Sequence, residues 1–187
     1  MDSKLQIISG TYRGRKLYLP AGARPTQNLA RGAIFNILGD LFSADDEIVV
    51  WDAFAGSGAL GIETLSRYIN ATAIFTDISA ESLATIKKNT ATIAANRISI
   101  IKTDAVQVIK KHGNLANLIF VDPPYPDFDN GVKFIQKLTP FVQSGTVLVW
   151  EIENIAHNMP NLNDDWEVLR DKKYGRARFL VLRRTSK

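Results

Sequence analysis

Ile48-Val49-Val50-Trp51-Asp52-Ala53-Phe54-Ala55-Gly56-Ser57-Gly58-Ala59-Leu60-Gly61 is the stretch whose reading decides the fold. Its apolar opening predicts a buried strand. Its Gly-x-Gly-x-x-Gly close stands just before a helical stretch near residues 59–68, the context in which that motif counts. The glycines let the backbone turn tightly and come close to a ligand. An acidic residue, Asp77, follows 21 residues after Gly56, at the end of the next strand-like run. A carboxylate there can accept both hydroxyls of a ribose, so the pattern predicts a ribose-bearing cofactor.

Outward from this unit the pattern alternates. Residues 48–51, 73–75, 98–101, 118–121 and 147–150 are strand-like. Residues 59–68, 80–95, 105–111 and 130–138 are helix-like. In the second helical stretch Leu83, Ile86, Thr90 and Ile93 share one face, with Ser79 as N-cap. Such alternation predicts an α/β fold with a mostly parallel sheet covered on both faces. Residues 166–170 and 178–182 have no room for a crossover helix between them, so they are expected to form an antiparallel hairpin at the sheet edge. Ahead of all this, residues 5–19 read as a short β-hairpin around Gly10 and Gly14. Pro25-Thr26 looks like a helix start, and Leu29, Ala33, Ile37, Leu38 and Leu41 recur at helical spacing. The expected division is a basic hairpin-and-helix extension over 1–44 and a cofactor-binding domain over 45–187.

Two cofactor classes would use the glycine loop and Asp77. A dinucleotide would place a pyrophosphate against the loop. S-adenosylmethionine carries a sulfonium and no phosphate. The donor set favours the second. Asp52 sits in the strand ahead of the loop, where it would repel a pyrophosphate. Asp104 ends the third strand, placed to accept from an adenine amino group; a helix N-cap before Ala105 is its alternative role. The expected cofactor set is Asp52, Ala55, Gly56, Ser57, Gly58, Asp77, Ile78, Asp104 and Ala105.

Asp122-Pro123-Pro124-Tyr125 ends the fourth strand. These residues suit a planar exocyclic amine. Ionised Asp122 accepts one N–H. The two prolines make a stiff corner, and the Pro123 carbonyl can take the second N–H. Tyr125 offers a face on which a base can stack. A rigid turn with an incidental carboxylate is the plainer reading of the four residues alone.

Charge is unevenly spread. Residues 1–31 hold six basic residues against one acidic, and residues 170–187 hold eight against one. The middle of the chain is acidic. Two basic ends on an acidic body suit a polyanion partner. The chain has no cysteine and two histidines, which argues against thiolate zinc, iron–sulfur and histidine-built metal sites. It has no apolar run of membrane-spanning length and no secretory pattern at its start, and a cytoplasmic, monomeric protein is expected.

With these residues in place, the chain resembles the class I S-adenosylmethionine-dependent methyltransferases, and within them the bacterial RsmD-like family. The resemblance runs through Ile8-Ser9-Gly10-Thr11-Tyr12-Arg13-Gly14-Arg15-Lys16-Leu17, Arg24-Pro25-Thr26, Ala33-Ile34-Phe35-Asn36-Ile37-Leu38, the segment from Phe54 to Glu63, Phe120-Val121-Asp122-Pro123-Pro124-Tyr125, and Tyr174-Gly175. It implies a Rossmann-like fold with a seven-stranded sheet. It implies methyl transfer to the exocyclic N2 of a guanine in 16S ribosomal RNA of the small subunit, guanine 966 in the family. Asp122, Pro123, Pro124 and Tyr125 would then hold the target base, and Arg13, Arg15, Lys16, Arg24 and Arg31 the RNA backbone. After Arg24-Pro25-Thr26 the family usually shows an acidic, a basic and then another acidic residue; this chain has Asn28, Leu29 and Gly32. The competing readings are an amino-methyltransferase acting on other RNA or on DNA, a non-catalytic ribosome-assembly factor, and a nicotinamide oxidoreductase.

Overall fold

The computed structural model describes residues 5–22, 28–123, 128–154 and 162–186. Its seven strands are β1 (Val49–Asp52), β2 (Thr72–Asp77), β3 (Ile98–Lys102), β4 (Leu118–Val121), β5 (Val147–Glu153), β6 (Trp166–Tyr174) and β7 (Ala177–Arg184). They form one sheet in the order β3-β2-β1-β4-β5-β7-β6. Strands β1 to β5 pair in parallel, and β7 runs antiparallel to both β5 and β6. The expected mostly parallel sheet with its closing hairpin is what forms. The hairpin is longer than its apolar runs suggested. Tyr174 pairs with Ala177 across Gly175 and Arg176, and Gly175 takes φ 58°.

Helices α1 (Asn28–Gly39), α2 (Ala59–Arg67), α3 (Ala80–Thr90), α4 (Ile109–Gly113) and α5 (Phe128–Leu138) cover the sheet. Side chains on a strand alternate between faces, and the core divides accordingly. Val50, Leu118 and Phe120 join one apolar cluster with residues of α1, α2 and α3, while Trp51, Ile119 and Val121 join a second with residues of α4 and α5. Two helical expectations shorten. α3 stops at Thr90, although Ile93 beyond it is still buried. The stretch near 105–111 begins as a 3-10 turn over Ala105–Val108 before α4. Ser79 caps α3 as expected, accepting from the Ser82 N–H.

Residues 5–19 form a hairpin held by one bridge, Gln6 to Lys16, and by backbone bonds between Ile7 and Arg15 and between Leu17 and Leu5. Leu5, Ile7 and Leu17 are buried in the same cluster as Ile34, Phe35 and Leu38 of α1 and the strand residues beyond. Buried side chains from both sides of residue 44 thus share one core.

The hairpin is fastened to α2 by polar bonds. The Glu63 carboxylate, fully buried, accepts from the N–H groups of Ile8 (2.8 Å) and Ser9 (3.0 Å) and from Arg67 Nε (2.8 Å). Ser66 accepts from Tyr12 N–H through Oγ and from Thr11 N–H through its carbonyl. Gly10 lies so close to α2 that a Cβ would sit 1.9 Å from the Ser66 carbonyl oxygen, and its φ is +83°. Both facts demand glycine. Gly10→Ala is expected to destabilise the protein by about 3 kcal/mol, through overpacking and left-handed strain together. Urea unfolding measures this, and an unchanged midpoint would contradict the docking.

Candidate active site

The strand order sets the site. β1 lies between β2 and β4, so the chain leaves β1 toward one side of the sheet and returns for β4 on the other. In such sheets ligands bind beyond the carboxyl ends of the strands, at the point where the order reverses. Along that edge stand, in spatial order, Asp104 after β3, Asp77 ending β2, Asp52 ending β1, Asp122 after β4, and Glu151 in β5.

The glycine loop crosses this edge. Gly56 and Gly58 have φ of 52° and 77°, and the space where a Gly56 Cβ would stand is open. Gly61 serves packing instead, since a Cβ there would meet the Phe75 ring at 2.3 Å. Asp77 fixes the loop. Its Oδ2 accepts from Gly56 N–H and its Oδ1 from Ser79 N–H, both at 2.8 Å. A carboxylate has about four acceptor positions, so Asp77 keeps capacity for two ribose hydroxyls. Its neighbour Thr76 is buried and bonded to the Trp51 indole and the Ala53 carbonyl. Ile78 is 72% exposed beside Asp77. Asp104 caps the turn that follows it, accepting from Val106 N–H at 2.9 Å. That is its alternative role. Ala55 and Ala105 are both buried, in the two separate apolar clusters.

Asp52 is buried and accepts from Gly61 N–H at 3.1 Å. Burial, with the Asp77 charge nearby, pushes its pKa up to about 7 despite that bond. Asp122 is held well above the usual carboxylate range, first by burial and then by the charges of Glu151 and Asp52. Pro123, next in the chain, is buried. Pro124 and Tyr125 lie outside the described residues, as does Arg24. Glu151 was missed in the sequence, although a carboxylate within Val149-Trp150-Glu151-Ile152 is a charge inside an apolar run. Asn89 was missed as well. This buried side chain accepts from Tyr18 N–H and donates to the carbonyls of Tyr18 and Ser57, joining the hairpin to the glycine loop.

The basic residues divide. Arg13 and Lys16 are exposed on the hairpin, and Arg15 reaches Thr92 with a guanidinium N–H. Arg31 corrects the expectation. Its guanidinium is fully buried, donates to the Gln6 carbonyl and Asn28 Oδ1, and lies 3.7 Å from Glu63. It holds the hairpin on α1 and α2 and presents no surface to a phosphate. At the other end of the chain Arg178 forks onto Asp171, while Arg183 and Arg184 pair with Glu167 and Asp165. Three of the eight basic residues at this end are therefore paired with carboxylates in or just ahead of the β6–β7 hairpin.

Comparison with known proteins decides the family. The sequence pattern of the family described as conserved hypothetical protein 95 matches residues 5–183. The chain belongs to this family of RsmD-like class I methyltransferases. It is 31% identical to ribosomal RNA small subunit methyltransferase D of Escherichia coli K12, over 99% of this chain and 92% of that one. It is 35% identical to a putative rRNA methyltransferase, YlbH, of Bacillus subtilis, over 66% of this chain and 68% of that one. The solved structure of the putative methyltransferase yhhF from Escherichia coli superposes with a TM-score of 0.82 at 29% identity, covering 97% of this chain and 98% of that one. An O-methyltransferase family protein from Burkholderia thailandensis shares the fold at a TM-score of 0.65.

The raised carboxylates give the fold a pH signature. Asp52 binds a proton more tightly folded than unfolded, so its contribution favours the folded state below about pH 4 and is lost as pH rises through about 7. His112, buried against Trp51 with its pKa lowered by burial, acts in the opposite sense, but only below about 6.5. Between pH 6.5 and 8 the unliganded protein should therefore lose stability, and Asp52→Asn should flatten that slope. Urea unfolding across the range checks this; a parent protein whose stability rises from pH 6.5 to 8 would contradict it.

Proposed function

We propose that this protein transfers a methyl group from S-adenosylmethionine to the exocyclic N2 of a guanine in 16S ribosomal RNA of the small subunit. The observation that carries the reading is the adjacency of two things at the sheet's reversal point. The Asp77-braced glycine loop follows β1, and Asp122 with Pro123 follows β4. The family membership and the likeness to the Escherichia coli ribosomal RNA small subunit methyltransferase support the RNA target.

The residues fit the cofactor. Asp77 would hold the ribose, Ile78 would give an apolar wall to the adenine, and Asp104 would accept from its amino group. The open space at Gly56 admits close approach of the methionine portion to the backbone. A row of carboxylates repels a pyrophosphate and attracts a sulfonium. When bound, S-adenosylmethionine supplies an electrophilic methyl group. The protein's part is positioning, which in favourable cases lowers a barrier by about 7–11 kcal/mol. Asp122 and the Pro123 carbonyl would each take one N–H of the guanine amine and so aim its lone pair. Tyr125 would stack on the base, which must first leave its own stack at a cost of a few kcal/mol. Asp122, whose surroundings raise its affinity for a proton, is suited to stabilise positive charge growing on nitrogen. Arg13, Arg15, Lys16 and Arg24 would hold the phosphates.

Three outcomes are expected. Asp122→Ala should abolish methylation of under-methylated small subunits while calorimetry shows cofactor binding retained; near-normal turnover would overturn its role. Affinity for S-adenosylmethionine should rise from pH 6 to pH 8, because a cation favours the ionised forms of Asp52 and Asp122. The uncharged thioether S-adenosylhomocysteine should show a smaller rise, and equal slopes for the two ligands would contradict the sulfonium placement. RNA binding should weaken steeply with salt, whereas a salt-insensitive affinity would remove the phosphate contacts.

A further inference from the structure

Tyr18 is unusual among the hairpin's side chains. Its backbone is locked on both sides by the buried Asn89, which accepts from Tyr18 N–H at 2.8 Å and donates to its carbonyl at 3.0 Å. Yet the residue is 63% exposed. The same Asn89 amide donates to the Ser57 carbonyl at 2.9 Å, so the main chain under the ring is tied directly to the cofactor loop. Lys88 of α3 lies 6.0 Å from the ring centroid, a cation–π distance. Lys16, two residues earlier on the same extended arm, and Lys87 are also exposed. Arg15 is drawn onto the end of α3 by Thr92 at 2.6 Å. Glu81, the carboxylate brought to this part of the hairpin, is engaged by the Ala21 N–H.

We propose that Tyr18, with Lys88 at its ring, is a stacking platform for an unpaired base of the substrate RNA beside the cofactor loop. The proposal rests on the reading of the protein as an RNA methyltransferase and adds a contact surface to it. A rigidly mounted aromatic ring set among lysines and arginines is the combination that binds single-stranded nucleic acid without sequence preference. The ring takes a base face and the cations take the flanking phosphates. A protein partner would want a contiguous apolar patch, whereas this ring has the Lys88 ammonium at 6.0 Å from its centroid. The coupling through Asn89 also has a purpose: it fixes the distance between the stacked nucleotide and the loop that presents the methyl donor.

Tyr18→Trp provides the direct test. The three tryptophans of the chain, Trp51, Trp150 and Trp166, are all buried, at 0%, 0% and 6% exposure. The substituted ring would be the solvent-facing indole. Titration with a single-stranded oligoribonucleotide, and with small-subunit ribosomal RNA lacking the modification, should quench its emission and shield it from acrylamide. Tyr18→Ala should bind the same RNAs about tenfold more weakly, Tyr18→Phe should bind them like the parent, and S-adenosylmethionine affinity and Tm should hold in both. Unweakened RNA binding by Tyr18→Ala, or unchanged indole emission at saturating RNA, would overturn the platform. Methylation by the parent protein is measured in the same preparation: its absence overturns the functional reading, and its presence with undisturbed emission overturns the platform alone.

Discussion

Everything in the site depends on β1 lying between β2 and β4. That single placement brings the ends of three separate crossover units to one edge of the sheet. Asp77 arrives from one side, Asp122 from the other, and the glycine loop rises between them. The side-chain period of a strand then separates duties at β1 itself. Trp51 packs into the core on one face, while Asp52 accepts from Gly61 at the start of α2. The cost of the arrangement is electrostatic: carboxylates buried close together cannot all ionise freely. Asp52 and Asp122 are raised first by burial and then by the neighbouring carboxylates.

Another carboxylate, Glu63, has the opposite environment. It is as deeply buried, yet it accepts from two backbone N–H groups and from Arg67, and Arg31 lies alongside. Removing one partner of such a buried group costs about 3–5 kcal/mol, because the other is left uncompensated. Through Glu63 and the close contact at Gly10, the N-terminal hairpin becomes part of the helix that follows the cofactor loop. Asn89 adds a second tie, from Tyr18 to Ser57. The basic hairpin is thus mounted on the two helices whose amino ends border the site, and what it grips is held at a fixed distance from the loop.

The order of elements was legible from the sequence because hydrophobic period and glycine placement are local signals. Leu118–Val121 was read without error, four apolar residues bounded by polar ones. The strands of the closing hairpin were read short, since β6 is exposed over much of its length and carries charge where an apolar run would announce a strand. Arg31 was misjudged for a related reason. A sequence counts charges but does not say which way they face, and an arginine one turn into a helix after a basic stretch looks like a surface residue. Its burial depends on Glu63, 32 positions away. Glu151 and Asn89 escaped notice because their roles arise only when β5 meets β4 and α3 meets the hairpin. Each left a trace, a polar residue in a buried run, but nothing local names its partner.

The central claim is that the methyl donor and an exocyclic guanine amine meet between the β1 loop and Asp122. The most direct measurement is the chemical identity of the product. Small ribosomal subunits lacking the modification are incubated with the protein and methyl-labelled S-adenosylmethionine, the RNA is digested to nucleosides, and the label is located by mass spectrometry. The account predicts label in N2-methylguanosine from 16S ribosomal RNA. Label on a ring carbon, a ribose oxygen or a different base would contradict it.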